Sequence, residues 1–331
     1  MNLPWIESPF FEYTLKNKRL SEEEIKLCRD YNSNGFVVIK NVINPETADK
    51  IIAEIDRFFP DNIDLELNRN QDLWQSVVEV KDLACNDKII TILKLLYERD
   101  PIPFQTLNFK YGSQQKTHSD SIHFSSIPER FMCGVWVALE ETSEDNGPLI
   151  YYPKSHKEKQ YNYFDIGIPI DNPGDGDGLK KGGGYNNYSD YENFIEELIR
   201  AKNLEFKELH LKKGDALIWA SNLLHGGKQV IDSKLTRWSQ VTHYYFEDCL
   251  YLTPMWSNMA TGELFLRNPN NILKNEPINP TLNGKKTYHL FTGNSRYFCQ
   301  EKFEPSLLKD YSWKQISVLL KDKIKRQISK G

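Results

Sequence analysis

Cysteine is scarce in this chain: the five residues in 331 (Cys28, Cys85, Cys133, Cys249 and Cys299) are odd in number, widely spaced and never arranged as Cys-x-x-Cys. Neither a disulfide frame nor a zinc site is built that way, so the thiols read as reduced, mostly core residues of a cytoplasmic protein. A basic excess is lacking too. With 42 Lys and Arg against 46 Asp and Glu, a formal charge of -4 and no basic stripe, no nucleic-acid partner is expected. No run approaches the roughly 18 apolar residues of a membrane span, so no membrane partner is expected. Met1 to Tyr13 is aromatic but has neither a basic start nor a continuous apolar stretch, which argues against a secretory signal. Internal repeats and βαβ alternation are also missing.

What is present divides near residue 100. The first part reads as helical. Ser21-Glu22-Glu23-Glu24 is a capping box opening a helix that should stop near Gly35, followed by a short buried strand through Ile39. Pro45 starts a second helix with Ala48, Ile51, Ile52, Ile55, Phe58 and Phe59 on its apolar face, closed by Pro60. Asn86 caps a third, with Ile89, Ile90, Leu93 and Leu96 inward. After Pro101 the period changes to two, giving strands at 104–110, 131–139, 149–152, 208–211, 216–220 and 237–246 between turn clusters such as Asn146-Gly147-Pro148. Many short strands predict a sandwich or barrel. A stretch from about 157 to 203, rich in Gly, Asp, Asn and Tyr and holding a short helix near 191–200, interrupts them in the manner of a lid. Trp313, Ile316, Leu320 and Ile324 predict an amphipathic helix in the tail. One domain over 1–331 is expected: a helical flank to 100, a β-core over 101–250 and an extension over 251–331.

The sharpest chemical constellation is His118-Ser119-Asp120 with His225, 105 residues after Asp120. In a strand, residues i and i+2 share a face, so His118 and Asp120 can address one centre, and a second imidazole alongside completes two nitrogens and one carboxylate. That set leaves positions open and favours non-haem Fe(II). The competing reading is an unrelated surface pair. Arg237 lies 12 positions after His225, with Ser239 two further on the same face. A guanidinium turned into a β-core needs a carboxylate, from a ligand or from an Asp or Glu of the chain itself.

With Asn146-Gly147-Pro148-Leu149, Pro153-Lys154-Ser155-His156 and Gly214-Asp215-Ala216 standing in order between these, the sequence from about Gly35 to Asp248 resembles the phytanoyl-CoA hydroxylase family of Fe(II)/2-oxoglutarate-dependent dioxygenases, which includes ectoine hydroxylase. The resemblance implies a mainly β, double-stranded β-helix core (a cupin-like jelly roll) with flanking α-helices. It implies iron ligation by His118, Asp120 and His225, with 2-oxoglutarate as co-substrate. Arg237 would bind the distal carboxylate, Ser239 would help, and Trp136 and Asn108 would line the co-substrate pocket. Two departures stand out. Family members often carry Ser two residues after the distal His, where this chain has Gly227; and Ser121-Ile122-His123-Phe124 differs from the Phe-Glu-Thr-Trp-His-like run of ectoine hydroxylases, which argues against ectoine. Related halogenases replace the carboxylate by Gly or Ala, so the intact Asp120 favours hydroxylation.

Other residues read blandly. His123 reaches either the mouth of the site or solvent, and His156 reads as part of a structural turn. His210, His243 and His289 have no nameable partner. The 171–178 acidic-glycine run lacks the spacing of a Ca²⁺ loop, and Lys180 to Gly184 reads as a lid tip. The expected partners are O₂ and a polar small molecule: a sugar derivative, an amino acid or a secondary-metabolite intermediate. The tyrosines at 161, 163, 185, 188 and 191 would supply stacking and hydrogen bonds over it. The alternatives are a non-redox jelly-roll binding protein, or the same iron centre used for desaturation, epimerisation or halogenation.

Overall fold

A computed structural model describes residues 2–60, 69–168, 187–258 and 264–289, together with Gly262 and short pieces between 293 and 317. Five helices come before the β-core: α1 (Phe11–Lys16), α2 (Glu22–Asn34), α3 (Pro45–Ile55), α4 (Val78–Ala84) and α5 (Asp87–Tyr97). The capping box on α2 is complete, Ser21 accepting from the Glu24 N–H while the Glu24 carboxylate accepts from the Ser21 N–H, and Gly35 closes the helix at φ 83°. Asn44 caps α3 through the Thr47 N–H, and Asn86 caps α5 through two amides. Sequence reasoning missed α4, which is only 7 residues long and has no side-chain cap.

As far as residue 266 the described strands are β1 (Phe36–Ile39), β2 (Arg69–Gln71), β3 (Pro101–Phe109), β4 (Ser125–Ile127), β5 (Met132–Ala138), β6 (Leu149–Tyr151), β7 (Lys207–Glu208), β8 (Ala216–Ala220), β9 (His225–Gly227), β10 (Ser239–Phe246), β11 (Leu250–Leu252) and β12 (Leu264–Leu266), with α6 (Tyr188–Lys202) between β6 and β7. Six form an antiparallel sheet in the order β1-β8-β5-β10-β3-β2, and β7-β6-β9 form a smaller one opposite. β4, β11 and β12 belong to a third sheet, to which the extension after residue 250 contributes.

The centre of the six-stranded sheet is buried on both faces, which explains why β5 and β10 are covered at every residue. Val135, Val137, Ile218 and Tyr244 pack on the helices against Ile51, Val80, Leu93 and Leu96. The alternate residues, Trp136, Leu217, Trp219 and Val241, face Leu149, Tyr151 and Leu209 on the smaller sheet's side. Two antiparallel sheets facing each other, with helices outside one, are the expected jelly roll with its helical flank.

Several boundaries differ from expectation. The strand expected at 208–211 pairs only at Lys207–Glu208. Arg237 lies just before β10 and joins the structure through its N–H, donated to the Lys110 carbonyl at 2.7 Å. Residues 169–186, with the acidic-glycine run, Lys180 to Gly184 and Tyr185, lie outside the described residues, as do Leu320 and Ile324 of the expected tail helix.

Candidate metal centre

His118 and His225 meet across an isolated antiparallel bridge, exchanging backbone hydrogen bonds of 2.9 and 3.0 Å. The extended geometry expected through Asp120 stops one residue short. Ser119 caps a single 3₁₀ turn, Asp120–Ile122, by accepting from the Ser121 N–H. Asp120 therefore reaches the two imidazoles from the head of a turn and not by strand alternation, because a serine hydroxyl competes with the ladder for nearby amides.

The three side chains offer one ligand atom each within 4.8 Å of one another, and all three are buried. The Nδ1 atoms of His118 and His225 each lie 2.9 Å from a backbone carbonyl, of Lys116 and Leu223. A carbonyl only accepts, so both Nδ1 atoms carry hydrogen and both Nε2 atoms present a lone pair, that of His118 accepting from the Gln115 side-chain amide at 3.3 Å. Those Nε2 atoms stand 3.9 and 3.8 Å from Asp120 Oδ1, too far to hydrogen-bond and close enough to share one ion. Burial pushes His118 down to about 3, with His225 beside it adding to the effect. Burial alone would raise the Asp120 carboxyl, but the His225 and His243 imidazoles outweigh it and hold it well below the usual range. At neutral pH the centre thus offers a neutral His118 imidazole and a carboxylate, the protonation that a cation requires.

Sequence reasoning missed what supports this carboxylate. Trp219 on β8 donates its Nε1–H to Asp120 Oδ2 at 2.8 Å, and His243 Nε2 lies 3.6 Å from the same oxygen, its Nδ1 at 3.0 Å from Gln105 Oε1. The indole has room because β5 places Gly134 opposite, where a Cβ would come within 2.2 Å of the ring. The signal for His243 was available: it shares the parity of Arg237 and Ser239.

A cavity of about 210 Å³ opens beside the triad and is lined by Trp136, Leu149, Val241 and Arg237 among others. Arg237 is 2% exposed. Its guanidinium donates to the carbonyls of Gly147 at 3.1 Å and Tyr111 at 3.4 Å, its Nε has no partner, and no carboxylate among the described residues pairs with it. Burial lowers it to about 10, so it remains cationic. Ser239, wholly buried on the same side of β10, has an unpartnered hydroxyl. Asn108 is a correction. Gln105, Leu107 and Phe109 line the cavity, so alternation turns Asn108 to the helical side, where its Nδ2 donates to Gln240 Oε1 at 3.2 Å.

His123 does reach the cavity, 3.1 Å from the Tyr188 hydroxyl, and burial lowers it to about 4. Of the described lid tyrosines only Tyr188 lines that cavity; Tyr163 and Tyr191 are 1% exposed and pack with Ile195 and Leu224 on the inner side of α6. His156 is a buried strut whose Nε2 donates to the Asn32 carbonyl at 3.0 Å. His210 lies beside Glu208. Side-chain surroundings of His289 fall outside the described residues.

The family model for phytanoyl-CoA dioxygenase (PhyH) matches residues 31–237, more than half of the chain. Peroxisomal phytanoyl-CoA dioxygenase of Rattus norvegicus is 22% identical over 276 residues, covering 73% of this chain and 73% of its own. The Homo sapiens enzyme is 25% identical over 272 residues with the same coverage. Among solved structures, the non-heme alpha ketoglutarate dependent carbocyclase SnoK from nogalamycin biosynthesis superimposes with a TM-score of 0.53 at 15% identity, over 80% of this chain and 94% of its own. The epimerase SnoN gives 0.51 at 16%, over 73% and 89%. Both share the fold. Since the family match takes in the whole triad and ends at Arg237, the chain belongs to the phytanoyl-CoA dioxygenase family and is an Fe(II)/2-oxoglutarate-dependent dioxygenase.

Proposed function

We propose that His118, Asp120 and His225 ligate Fe(II), that Arg237 assisted by Ser239 binds the distal carboxylate of 2-oxoglutarate with Trp136 as a wall of its pocket, and that the enzyme hydroxylates a polar small molecule such as a sugar derivative, an amino acid or a secondary-metabolite intermediate. The observation that carries this reading is Arg237: a buried guanidinium without a carboxylate partner among the described residues, opening into the same cavity as the triad. A planar fork matches a carboxylate bidentately, and the free Nε and the Ser239 hydroxyl supply further hydrogen bonds. A binding protein without redox chemistry has no use for three buried ligands that leave open positions beside such a fork.

Iron, 2-oxoglutarate and O₂ together supply the oxidising chemistry, with succinate and CO₂ as co-products. The chain supplies the rest. The two carbonyl-anchored imidazoles fix the ligand directions, Arg237 sets where the keto acid lies, and Tyr188 on α6 covers the mouth. The polar character of the substrate is supported by Gln105, His123 and Tyr188 around the space that 2-oxoglutarate leaves. The whole chain is read as one domain, with 157–203 as its lid. Among the described residues the thiols of Cys28, Cys85, Cys133 and Cys249 are free, which fits a reducing compartment, the cytoplasm.

The test is anaerobic titration of Fe(II) and 2-oxoglutarate, followed through the weak visible charge-transfer band of a chelated keto acid. His118→Ala, Asp120→Ala and His225→Ala should each abolish it. Unchanged iron binding in all three variants would sink the ligand assignment.

A further inference from the structure

The charged side chains lining the cavity are two guanidiniums, Arg69 and Arg237, and one carboxylate, Asp120. On the proposed reading, Fe(II) and 2-oxoglutarate bring opposite charges that cancel, and Asp120 cancels Arg237. Arg69 is left over. It stands on the edge strand β2, in register with Phe109 of β3, and so two strands, about 10 Å, from β10 and the proposed co-substrate clamp. It shares the cavity face with Gln71, while the intervening Asn70 turns away to donate to the Phe58 carbonyl. No carboxylate among the described residues pairs with Arg69.

A second guanidinium lies behind the same rim. Arg267 sits 4.7 Å from the ring centre of Phe124, which lines the cavity. Its Nη1 donates to Thr253 Oγ1 at 3.1 Å and its Nε is buried without a partner, so this cation too lacks a neutralising carboxylate among the described residues. Both guanidiniums are near enough to His123 to disfavour its protonation. The wall between them is aromatic, made by Phe124, His123 and Tyr188, the last two 5.1 Å apart between ring centres. A mouth with two uncompensated positive charges, an aromatic wall and a single buried carboxylate already committed at the centre repels cations and draws in anions.

We propose that the substrate carries a carboxylate or phosphate group, which Arg69 holds at the mouth of the cavity while its body lies along Phe124 and Tyr188 toward the metal. This rests on the metal and co-substrate reading above and narrows it. A neutral sugar or a cationic amine would leave Arg69 without a counter-charge, and a zwitterion would bind through its anionic end. Arg69 acts here as a specificity determinant, since an exposed guanidinium selects by charge and forks onto either anion.

The experiment uses the full-length protein loaded with Mn(II) and 2-oxoglutarate. Its readout is paramagnetic broadening of the ring-proton NMR lines of three matched probes: phenylphosphonate, benzoate and neutral benzamide. At least one anion should be broadened saturably, roughly tenfold or more tightly than benzamide, and the stronger anion identifies the head group. Arg69→Gln should bring the anion to the benzamide level, and Arg69→Lys should retain part of the preference. Arg69 is on the surface, so neither variant threatens the core. Equal broadening by benzamide, no broadening by either anion, or wild-type behaviour of Arg69→Gln overturns the proposal. Loading is measured separately by calorimetric titration of 2-oxoglutarate. Failure of the wild-type protein to load removes the underlying reading and the proposal with it; normal loading without anion preference removes the proposal alone.

Discussion

Trp219 donates its indole N–H to Asp120 Oδ2 over 2.8 Å, and this bond leaves Oδ1 as the oxygen that faces His118 and His225. The carboxylate is thereby prepared to ligate through one oxygen. Groups that orient ligands contribute about 10- to 100-fold to metal affinity. Trp219→Phe keeps a ring against His225, whose centre lies 5.0 Å away, while deleting the donor. It should weaken Fe(II) binding by about tenfold or more in a competition titration against a chelator, with the thermal transition little changed. Wild-type affinity in this variant would remove Trp219 from the centre.

Arg237 should separate co-substrate binding from metal binding. Arg237→Ala removes the cation that faces the proposed carboxylate, at a cost of roughly 2–5 kcal/mol in 2-oxoglutarate affinity, whereas the triad is untouched. Arg237→Lys keeps charge but not the fork, and should recover only part of the loss. Calorimetry of 2-oxoglutarate with the Mn(II) form checks both. An unchanged affinity in Arg237→Ala would mean that another cation holds the keto acid.

The residues proposed as ligands and clamp could be named from the sequence because His118-Ser119-Asp120, His225 and Arg237 stand in order with recognisable turn motifs between them. The helices announced themselves by caps: Ser21 with Glu24, Asn44 with Pro45, and Asn86. What escaped is what depends on parity and on contacts distant in sequence. Asn108 differs from Phe109 by one position, and that position decides which face of the sheet it meets. Trp219 reads as a core aromatic until Asp120 is brought to it across 99 residues of chain. The tyrosines of the insertion looked alike in composition, yet Tyr163 and Tyr191 are packing and Tyr188 lines the site. Composition does not encode which side of a helix turns inward when the helix's own boundaries are uncertain by a turn.

His156 should make stability depend on pH. Burial holds its imidazole at about 4 in the folded protein against 6.5 for the ordinary group. Between those values the unfolded chain binds the extra proton and the folded chain does not, so stability is full above about pH 6.5 and falls as pH drops toward 4. Lowering pH from 7 to 5 should cost about 2 kcal/mol from this residue alone. His156→Gln lowers stability at pH 7 by losing the bond to Asn32, but its decline between pH 7 and pH 5, followed by urea unfolding, should be smaller by that amount. A parallel decline in both proteins would show that His156 protonates freely when folded.

At Gly227, where the resemblance to the family led to the expectation of serine, the surroundings leave little room for a side chain. A Cβ built on Gly227 would lie 2.6 Å from Ser113 Oγ and 2.7 Å from the Gln114 amide nitrogen. Ser113 itself lines the cavity. A serine hydroxyl is therefore present at this wall, delivered from the loop after β3 and not from the strand that carries His225. Reinstating serine by Gly227→Ser should overpack the contact and destabilise the fold by about 1–3 kcal/mol, read as a lower thermal midpoint. Adding Ser113→Gly removes the hydroxyl clash but leaves the backbone of Gln114 in place, so the double variant should recover part of the loss and not all of it. If Gly227→Ser instead melts like the wild type, the loop yields easily, and the close packing of Ser113 against Gly227 is not what keeps a side chain out of this position.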